Sequence, residues 1–223
     1  MIVDRKFRKA RLWSNDELKK FASACQGSVV NVSGWRDEDK AGSFYERYFS
    51  SSDQYFVTNY KSEARGFQGD RANEIFLDLT QPCPENLQGK FDVVFNHTVL
   101  EHVFEVDQAF ANLCAMSKDL VIIVLPFIQE QHAEYGDFWR FTPQAVDRLF
   151  KKNGMESLYL SYNDESDASI YIFAVASKKP AAWPQIKADA DNKLSTIHKD
   201  FVGLKLFRPT LLERVVMKLK RML

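Results

Sequence analysis

The stretch FDVVFNHTVLEH, residues 91 to 102, decides the predicted fold. It opens with an apolar run rich in β-branched residues, which is typical of a strand buried on both faces. The run changes abruptly to the polar residues Asn96, His97 and Thr98, and residues 99 to 103 then indicate the start of a helix. Because ligands of open α/β sheets bind just beyond the carboxyl ends of the strands, we expect Asn96 and His97 to lie beside a ligand.

Six further apolar runs predict strands on either side of this one. They are residues 28–32, 55–58, 74–79, 120–126, 158–160 and 170–176. Strands are expected to alternate with helices up to the last pair, which favours a largely parallel sheet. Only the polar segment 163–169 separates the last two runs, and this favours an antiparallel hairpin. The sequence thus predicts an α/β protein, a Rossmann-like three-layer sandwich with a mostly parallel seven-stranded sheet and an antiparallel C-terminal hairpin.

The start and the end of two helices are predicted. Ser14 and Glu17 match a capping box, so a helix is expected to begin at Ser14 and to stop near Gly27. Thr142, followed by a proline, predicts the start of a later helix that Gly154 would end.

The segment after the first strand combines a turn with an aromatic stripe. Ser33 and Gly34 follow the strand directly, and a glycine there allows a tight turn and a close approach to a ligand. The charged residues 37–40 are expected to be exposed. The aromatic residues between 43 and 49 show helical spacing, and we interpret them as core.

Composition, charge and cysteine spacing argue against several classes of protein. Lysine and arginine together number 30, as do aspartate and glutamate, and a net charge of zero argues against nucleic-acid binding. The three cysteines lie far apart, which argues against zinc ligation and a disulfide framework, so no metal is expected. The N-terminus MIVDRKFRKA is too polar for a signal peptide, and no apolar run approaches the ~20 residues of a membrane span. We expect a cytoplasmic protein.

The chain is predicted to divide into a domain over residues 1–179 and an appendage over residues 180–223. Two prolines, Pro180 and Pro184, indicate a linker, and residues 210–213 match a capping box that starts an amphipathic helix. Its apolar side carries Leu212, Val215, Val216, Leu219 and Leu223, and its basic side carries Arg214, Lys218 and Arg221. Three roles stay open: docking on the domain or on a homodimer partner, peripheral binding to the inner face of an anionic membrane, and contact with a partner protein.

Two motifs carry a resemblance to a known family. Residues 91–103, FDVVFNHTVLEHV, are similar to the fourth strand and following helix of class I S-adenosylmethionine-dependent methyltransferases. Residues 137–143, DFWRFTP, preceded by His132, resemble a segment of the type-11-like methyltransferases of bacterial surface-polysaccharide gene clusters. The resemblance covers about residues 26–177. It implies a methyltransferase domain, S-adenosylmethionine as cofactor, and a small-molecule or glycan acceptor methylated on a hydroxyl.

The same resemblance implies a set of cofactor-binding residues. They are Asn31, Ser33 and Gly34 in the turn after the first strand, Asn59 at the ribose, Asp78 and Leu79 at the adenine, and Asn96 and His97 at the methionine end. Asn31 and Asn59 stand where the family has acids, and one glycine replaces a Gly-x-Gly turn. An amide at position 59 cannot offer a charged bidentate acceptor, so we expect a loss of ~1–2 kcal/mol of cofactor affinity.

Catalytic groups are expected in the loop after the fifth strand. His132, Asp137 and Arg140 lie at the sheet edge predicted for the cofactor, together with His97. A histidine there could take the acceptor's proton as the acceptor attacks the methyl group. The alternative is that Arg140 pairs with Asp137 only to order the loop.

Glu101 and His102 are open to two interpretations. They could take part directly in the chemistry. They could instead be a carboxylate that complements a helix dipole and a histidine satisfied within the core.

The sequence leaves a second function open and disfavours a third. The amides at positions 31 and 59 could mark a methyltransferase fold that no longer catalyses, acting as a binding or scaffolding subunit in surface-polysaccharide assembly. A dinucleotide oxidoreductase is disfavoured, because it would carry Gly-x-Gly-x-x-Gly after the first strand, and this chain does not.

Overall fold

A computed structural model describes residues 4–61, 66–132, 136–165, 168–200, 202–203, 211–212 and 215–216. Within this part of the chain, seven strands form one sheet in the order β3-β2-β1-β4-β5-β7-β6. The strands are β1 (Gly27–Val32), β2 (Ser52–Asn59), β3 (Glu74–Phe76), β4 (Phe91–His97), β5 (Ser117–Ile128), β6 (Glu156–Tyr162) and β7 (Ile170–Ser177). Strands β1 to β5 pair in parallel, and β7 runs antiparallel to both β5 and β6. The predicted fold class is confirmed.

Helices cover both faces of the sheet. The α-helices are α1 (Asp4–Ala22), α2 (Val106–Met116), α3 (Pro143–Lys152) and α4 (Pro184–Lys187). Helices α2 and α3 pack on one face over a cluster of buried apolar side chains that includes Phe110 and Phe150. Helix α1 packs on the other face with Phe21, and Tyr45 and Phe49 join it there. The result is the predicted three-layer arrangement.

Most connections between the first four strands contain no α-helix, which corrects the predicted alternation. A single 3-10 turn, Tyr45–Tyr48, lies between β1 and β2, and another, Glu85–Leu87, lies between β3 and β4. In the aromatic stripe, Tyr45 and Phe49 are buried but Phe44 is exposed. Two aromatic residues four positions apart can thus reach the core from one short turn, so their spacing did not require a helix. After β4 the chain forms a 3-10 turn, Leu100–His102, before α2 begins.

The capping box at Ser14 is a wrong prediction. Helix α1 begins at Asp4, ten residues earlier, and Ser14 lies buried in its interior. Its hydroxyl donates a hydrogen bond to the Arg11 carbonyl oxygen at 2.9 Å. Serine inside a helix commonly bonds back to the preceding turn in this way, so the sequence pattern of a cap can occur without a helix start.

The boundaries of α3 are confirmed. The Thr142 hydroxyl accepts a hydrogen bond from the Ala145 amide, and Pro143 occupies the first helical position. Gly154 follows the helix with a φ of +72°, a conformation that favours glycine.

The segment predicted as a linker packs against β6. Ile186 and Ile197 are buried. The Asn192 side chain donates to the Leu158 carbonyl oxygen at 2.7 Å, and the Lys193 amide donates to that of Leu160 at the same distance. Residues 184–200 thus extend the described domain past position 179.

The predicted C-terminal helix is described only at four positions. Leu211, Leu212, Val215 and Val216 are helical and between 43% and 79% exposed. The predicted cap at 210 and 213 and the apolar and basic positions at 214 and 217–223 lie outside the described residues. Within the described chain, no helix combines the length and apolar character that crossing a membrane requires.

Candidate active site

The carboxyl ends of β1, β2 and β4 meet at one edge of the sheet. The Trp35 amide, just after β1, donates to Asn59 Oδ1 at the end of β2, at 2.7 Å. The Asn96 side chain, near the end of β4, donates to the Val32 carbonyl oxygen at 2.9 Å. The Leu77 amide donates to the Asn59 carbonyl oxygen, which brings the segment after β3 to the same edge. Most of the predicted cofactor-binding positions are therefore neighbours.

The turn after β1 packs around the side chain of Asn31, a residue of β1. Ser33, Trp35 and Asp37 all have a positive φ, between 48° and 64°. A Cβ atom on Gly34 would lie 2.5 Å from Asn31 Nδ2, so the close approach that requires glycine here is to a side chain of the protein. Asn31 Nδ2 in turn donates to Asp37 Oδ1 at 2.7 Å.

Asp37 is buried, so the prediction that residues 37–40 are all exposed is wrong at this position. It accepts hydrogen bonds from the Tyr55 hydroxyl at 2.7 Å and from the Glu46 amide at 2.8 Å, in addition to Asn31. Burial raises the pKa of its carboxyl group. Its partners Tyr55 and Glu46 are 18 and 9 residues away in sequence, so the charge run at 37–40 gave no sign of this network.

Both polar atoms of the Asn59 side chain, the predicted ribose ligand, already form hydrogen bonds within the protein. Its side-chain oxygen accepts from the Trp35 amide, and its side-chain nitrogen donates to the Trp35 carbonyl oxygen at 3.2 Å and to Glu74 Oε1 at 2.6 Å. Glu74 also accepts from the Gly69 amide. Asn59 thus ties the β1 turn to the start of β3.

The adenine positions follow β3. Asp78 is half-buried, and its Oδ1 atom accepts from the Thr80 amide at 2.9 Å and from the Thr80 hydroxyl at 2.7 Å. Leu79 is buried in the core on the α2 face. A cleft of about 200 Å³ lies at this edge between the β1 turn and the loop before β3. It is lined by Trp35, Arg36, Gly66, Gln68, Asp70, Arg71 and Glu74.

His97 faces α1, on the opposite side of the sheet from Asn96, because side chains alternate along a strand. Its Nε2 atom lies 2.8 Å from the Ser14 hydroxyl, and its Nδ1 atom lies 3.3 Å from the Arg11 guanidinium. This geometry fits the tautomer that donates to Ser14 and accepts from Arg11. Burial and the nearby Arg11 charge hold the pKa of His97 well below its usual value. The structure thus places His97 against the N-terminal helix.

Asn96 has an unused acceptor. The residue is fully buried, its nitrogen is bonded to Val32, and its side-chain oxygen has no hydrogen-bond partner among the described residues. Most buried polar atoms have a partner, so such an atom calls for an explanation.

A second polar cluster contains Glu101, His102 and His132. One ligating atom from each of the three side chains lies within 4.8 Å of the others. Glu101 is fully buried, neither of its carboxylate oxygens has a hydrogen-bond partner in the described chain, and burial raises its pKa to about 8. His102 Nε2 lies 3.8 Å from Glu101 Oε1, and the two histidine ring centroids are 5.0 Å apart. All three residues stand out in the sequence, but no sequence pattern indicates that they lie together.

Asp137 and Arg140 form a two-fold ion pair that orders the loop after β5. The guanidinium contacts the two carboxylate oxygens at 2.5 and 2.7 Å. It also donates to the carbonyl oxygens of Gln129, Glu130 and Trp139. The Arg140 hydrogen bond lowers the pKa of Asp137 to about 2. Asp137 also accepts from the His132 amide at 2.9 Å, so the pair holds His132 in place.

Comparison with known proteins gives a fold but no sequence relative. No family model matches the sequence, and no curated protein matches it. Magnesium protoporphyrin IX methyltransferase from Synechocystis, solved with S-adenosylhomocysteine, has a similar structure at 12% identity, with a TM-score of 0.56 over 80% of this chain and 88% of that one. An S-adenosylmethionine-dependent methyltransferase from Clostridium acetobutylicum is similar at 9% identity, with a TM-score of 0.53 over 75% and 91%.

A third structure is 1,6-didemethyltoxoflavin-N1-methyltransferase from Burkholderia thailandensis, with its substrate and S-adenosylhomocysteine bound. It is 14% identical, with a TM-score of 0.51 over 78% of this chain and 84% of that one. Identities this low establish the fold and leave the activity to be argued from the site. The chain therefore has the fold of the class I S-adenosylmethionine-dependent methyltransferases.

Proposed function

We propose that the protein transfers a methyl group from S-adenosylmethionine to a hydroxyl of a glycan or glycan precursor. The observation that carries the proposal is the sheet edge where the ends of β1, β2 and β4 meet, with the unsatisfied Asn96 oxygen buried beside the end of β1. This edge is where open α/β sheets bind their ligands. The fold shared with methyltransferases supports the same assignment.

The methionine end of the cofactor fits this edge. S-adenosylmethionine carries an ammonium and a sulfonium group there, and both are cationic. The buried Asn96 oxygen can accept a hydrogen bond from the ammonium, which would satisfy an acceptor that otherwise has no partner. Asn96 is therefore the residue that we assign to the methionine end.

The adenosine end requires a local rearrangement. The present cleft of about 200 Å³ is smaller than the ~300–1,000 Å³ of small-molecule sites. Asn59 already uses its oxygen for the Trp35 amide. We infer that Asn59 would hold a ribose hydroxyl once the β1 turn moves and frees the Asn59 oxygen from the Trp35 amide, and that Asp78 Oδ2 would accept from the adenine amino group.

The acceptor would bind beside the loop after β5. When bound, S-adenosylmethionine supplies an electrophilic methyl group, and the protein must place the acceptor oxygen in line with it. His132 is held by Asp137, and its side chain is 36% exposed, so it can receive the hydroxyl proton. The choice of a glycan rests on the resemblance of residues 137–143 to a segment of the type-11-like methyltransferases of bacterial surface-polysaccharide gene clusters.

Calorimetric titration with S-adenosylhomocysteine tests the cofactor assignment. We expect saturable binding to the full chain, and a roughly 10–100-fold weaker affinity for Asp78→Ala, because a hydrogen bond to a charged group contributes about 1.5–3 kcal/mol. Asp53→Ala removes an exposed carboxylate earlier in β2 and serves as the matched control, with unchanged affinity. Absence of binding to the wild-type chain would overturn the proposal.

A second candidate is a binding or scaffolding subunit that has lost the cofactor. The observation that favours it is the internal use of the cofactor positions, since Asn31 binds Asp37 and Asn59 binds Trp35 and Glu74. The same titration separates the two functions, because the scaffold would be stably folded and would release no heat with either S-adenosylmethionine or S-adenosylhomocysteine.

A further inference from the structure

We propose that Glu101, His102 and His132 bind a divalent first-row transition metal ion. One carboxylate oxygen and two ring nitrogens from these residues lie within 4.8 Å of one another. The inference does not rest on methyl transfer. It concerns a cluster whose residues come from two separate loops, one after β4 and one after β5.

The distances between the candidate ligand atoms are close to those between the ligands of a bound metal ion. Ligands ~2.1 Å from a tetrahedral zinc ion lie ~3.4 Å apart. Glu101 Oε1 and His102 Nε2 are 3.8 Å apart, and the widest separation in the cluster is at most 4.8 Å. Small rotations of the side chains therefore suffice to bring three ligands onto one ion.

His102 is oriented as a metal-binding histidine usually is. Its Nδ1 atom lies 2.5 Å from the Gly136 carbonyl oxygen, which fixes the proton on Nδ1 and leaves Nε2 facing Glu101. Histidine ligands almost always donate their second ring nitrogen to a carbonyl or a carboxylate in this manner, which fixes the tautomer and the ring orientation. His132 Nδ1 lies 3.1 Å from the Gln129 side-chain nitrogen and 3.4 Å from Asp137 Oδ2, so two polar side chains position this ring.

Glu101 supplies the independent evidence for a cation. Its carboxyl group is fully buried, and neither oxygen has a hydrogen-bond partner in the described chain. A buried carboxyl group with no hydrogen-bond partner is unfavourable, and coordination of a cation would give its oxygens a partner and allow the group to ionise. The side chains of His102 and His132 are 17% and 36% exposed, so an ion can enter from solvent on their side of the cluster.

The chemical types of the three side chains indicate which ions the site would bind. Imidazole nitrogens suit zinc, iron, nickel and copper, whereas magnesium and calcium prefer all-oxygen sites. Two histidines and one glutamate form a three-ligand set that leaves a coordination position open for water or a substrate oxygen. A ring nitrogen of His132 that holds an ion cannot also receive a proton, so in the ion-bound protein His132 acts as a ligand.

Metal titration of the untagged full chain tests the site. After treatment with a chelator and its removal, Zn²⁺ is titrated calorimetrically without cofactor, and Co²⁺ is followed by visible absorption. We expect one Zn²⁺ site per chain, a Co²⁺ spectrum of low coordination number, and no comparable binding of Mg²⁺. Omitting the cofactor keeps a failure here distinct from a failure of the proposed function.

Variants assign the ligands. Glu101→Gln and His132→Gln should each weaken Zn²⁺ binding by more than ten-fold, whereas the matched control His198→Gln, which replaces an exposed histidine, should bind as the wild type does. Because His132 is partly exposed, its replacement leaves the fold intact even if Glu101→Gln does not fold, and circular dichroism checks both. Equal Zn²⁺ affinity in the wild type and His132→Gln would overturn the proposal, as would the absence of a Zn²⁺ site in the wild type.

Discussion

At the residue scale, the polar groups at the carboxyl edge are held by partners that lie far away in sequence. His97 contacts Arg11 and Ser14 of α1, more than 80 residues before it. The prediction that Asn59 and Asn96 share an edge depended only on where strands end, so it could be made from the sequence. The orientation of His97 and the burial of Asp37 could not, because they depend on those distant partners.

His97 should make stability depend on pH. Its pKa is well below the usual 6.5 in the folded protein because of burial and the Arg11 charge, so below pH 6.5 the unfolded chain binds a proton that the folded chain does not. The free energy of unfolding therefore falls as the pH drops from 6.5, by up to about 1.4 kcal/mol per pH unit from this group. Urea denaturation between pH 4.5 and 8 should show a shallower acid-side slope for His97→Gln. An unchanged slope would contradict the assignment.

The Asn31 side chain should make glycine necessary at position 34. A Cβ at position 34 would lie 2.5 Å from the Asn31 side chain, so we expect Gly34→Ala to destabilise the protein by ~1–3 kcal/mol. Truncating the neighbour in Asn31→Ala/Gly34→Ala should recover part of that loss relative to the sum of the single variants. Urea unfolding of the four proteins in this cycle measures the coupling, and strict additivity would show that the two side chains do not meet.

At the element scale, strands could be predicted from the sequence better than the segments that join them. The apolar run at residues 120–126 is rich in β-branched side chains and short, which favours a strand buried on both faces, and β5 contains that run. Short apolar pairs such as Tyr45 and Phe49 fit either a helix or a 3-10 turn, and here the turn formed. Helix α1 begins at Asp4, ten residues before the start that the pattern at Ser14 predicted.

Ser14→Ala distinguishes the two interpretations of α1. If Ser14 were an N-cap, its loss would reduce helix content; in the structure it lies mid-helix and pairs with His97. We expect unchanged far-ultraviolet circular dichroism and a stability loss of ~1–3 kcal/mol from the unpaired buried His97 nitrogen. Thr142→Ala removes a genuine cap in α3 and is the comparison, with an expected loss of ~1 kcal/mol. A clear fall in helical signal for Ser14→Ala would contradict the mid-helix placement.

At the scale of the whole molecule, one sheet places both polar clusters along its carboxyl edge. The α1 side holds Asn31, Asp37 and His97, and the loops after β4 and β5 hold Glu101 and His132. The seven strands and the antiparallel hairpin at the end of the sheet could be predicted from the apolar runs and the short polar segment between the last two, whereas the order of the strands was not predicted. The internal pairing of Asn59 with Trp35 could not be foreseen, since it depends on how the β1 turn closes over the edge.

A crystal structure grown at saturating S-adenosylhomocysteine tests the central claim most directly. We predict ligand density between the β1 turn and Asn96, with the Trp35 amide released from Asn59 and the adenine beside Asp78. Density elsewhere, or a β1 turn still bonded to Asn59 with the edge unchanged, would contradict the account.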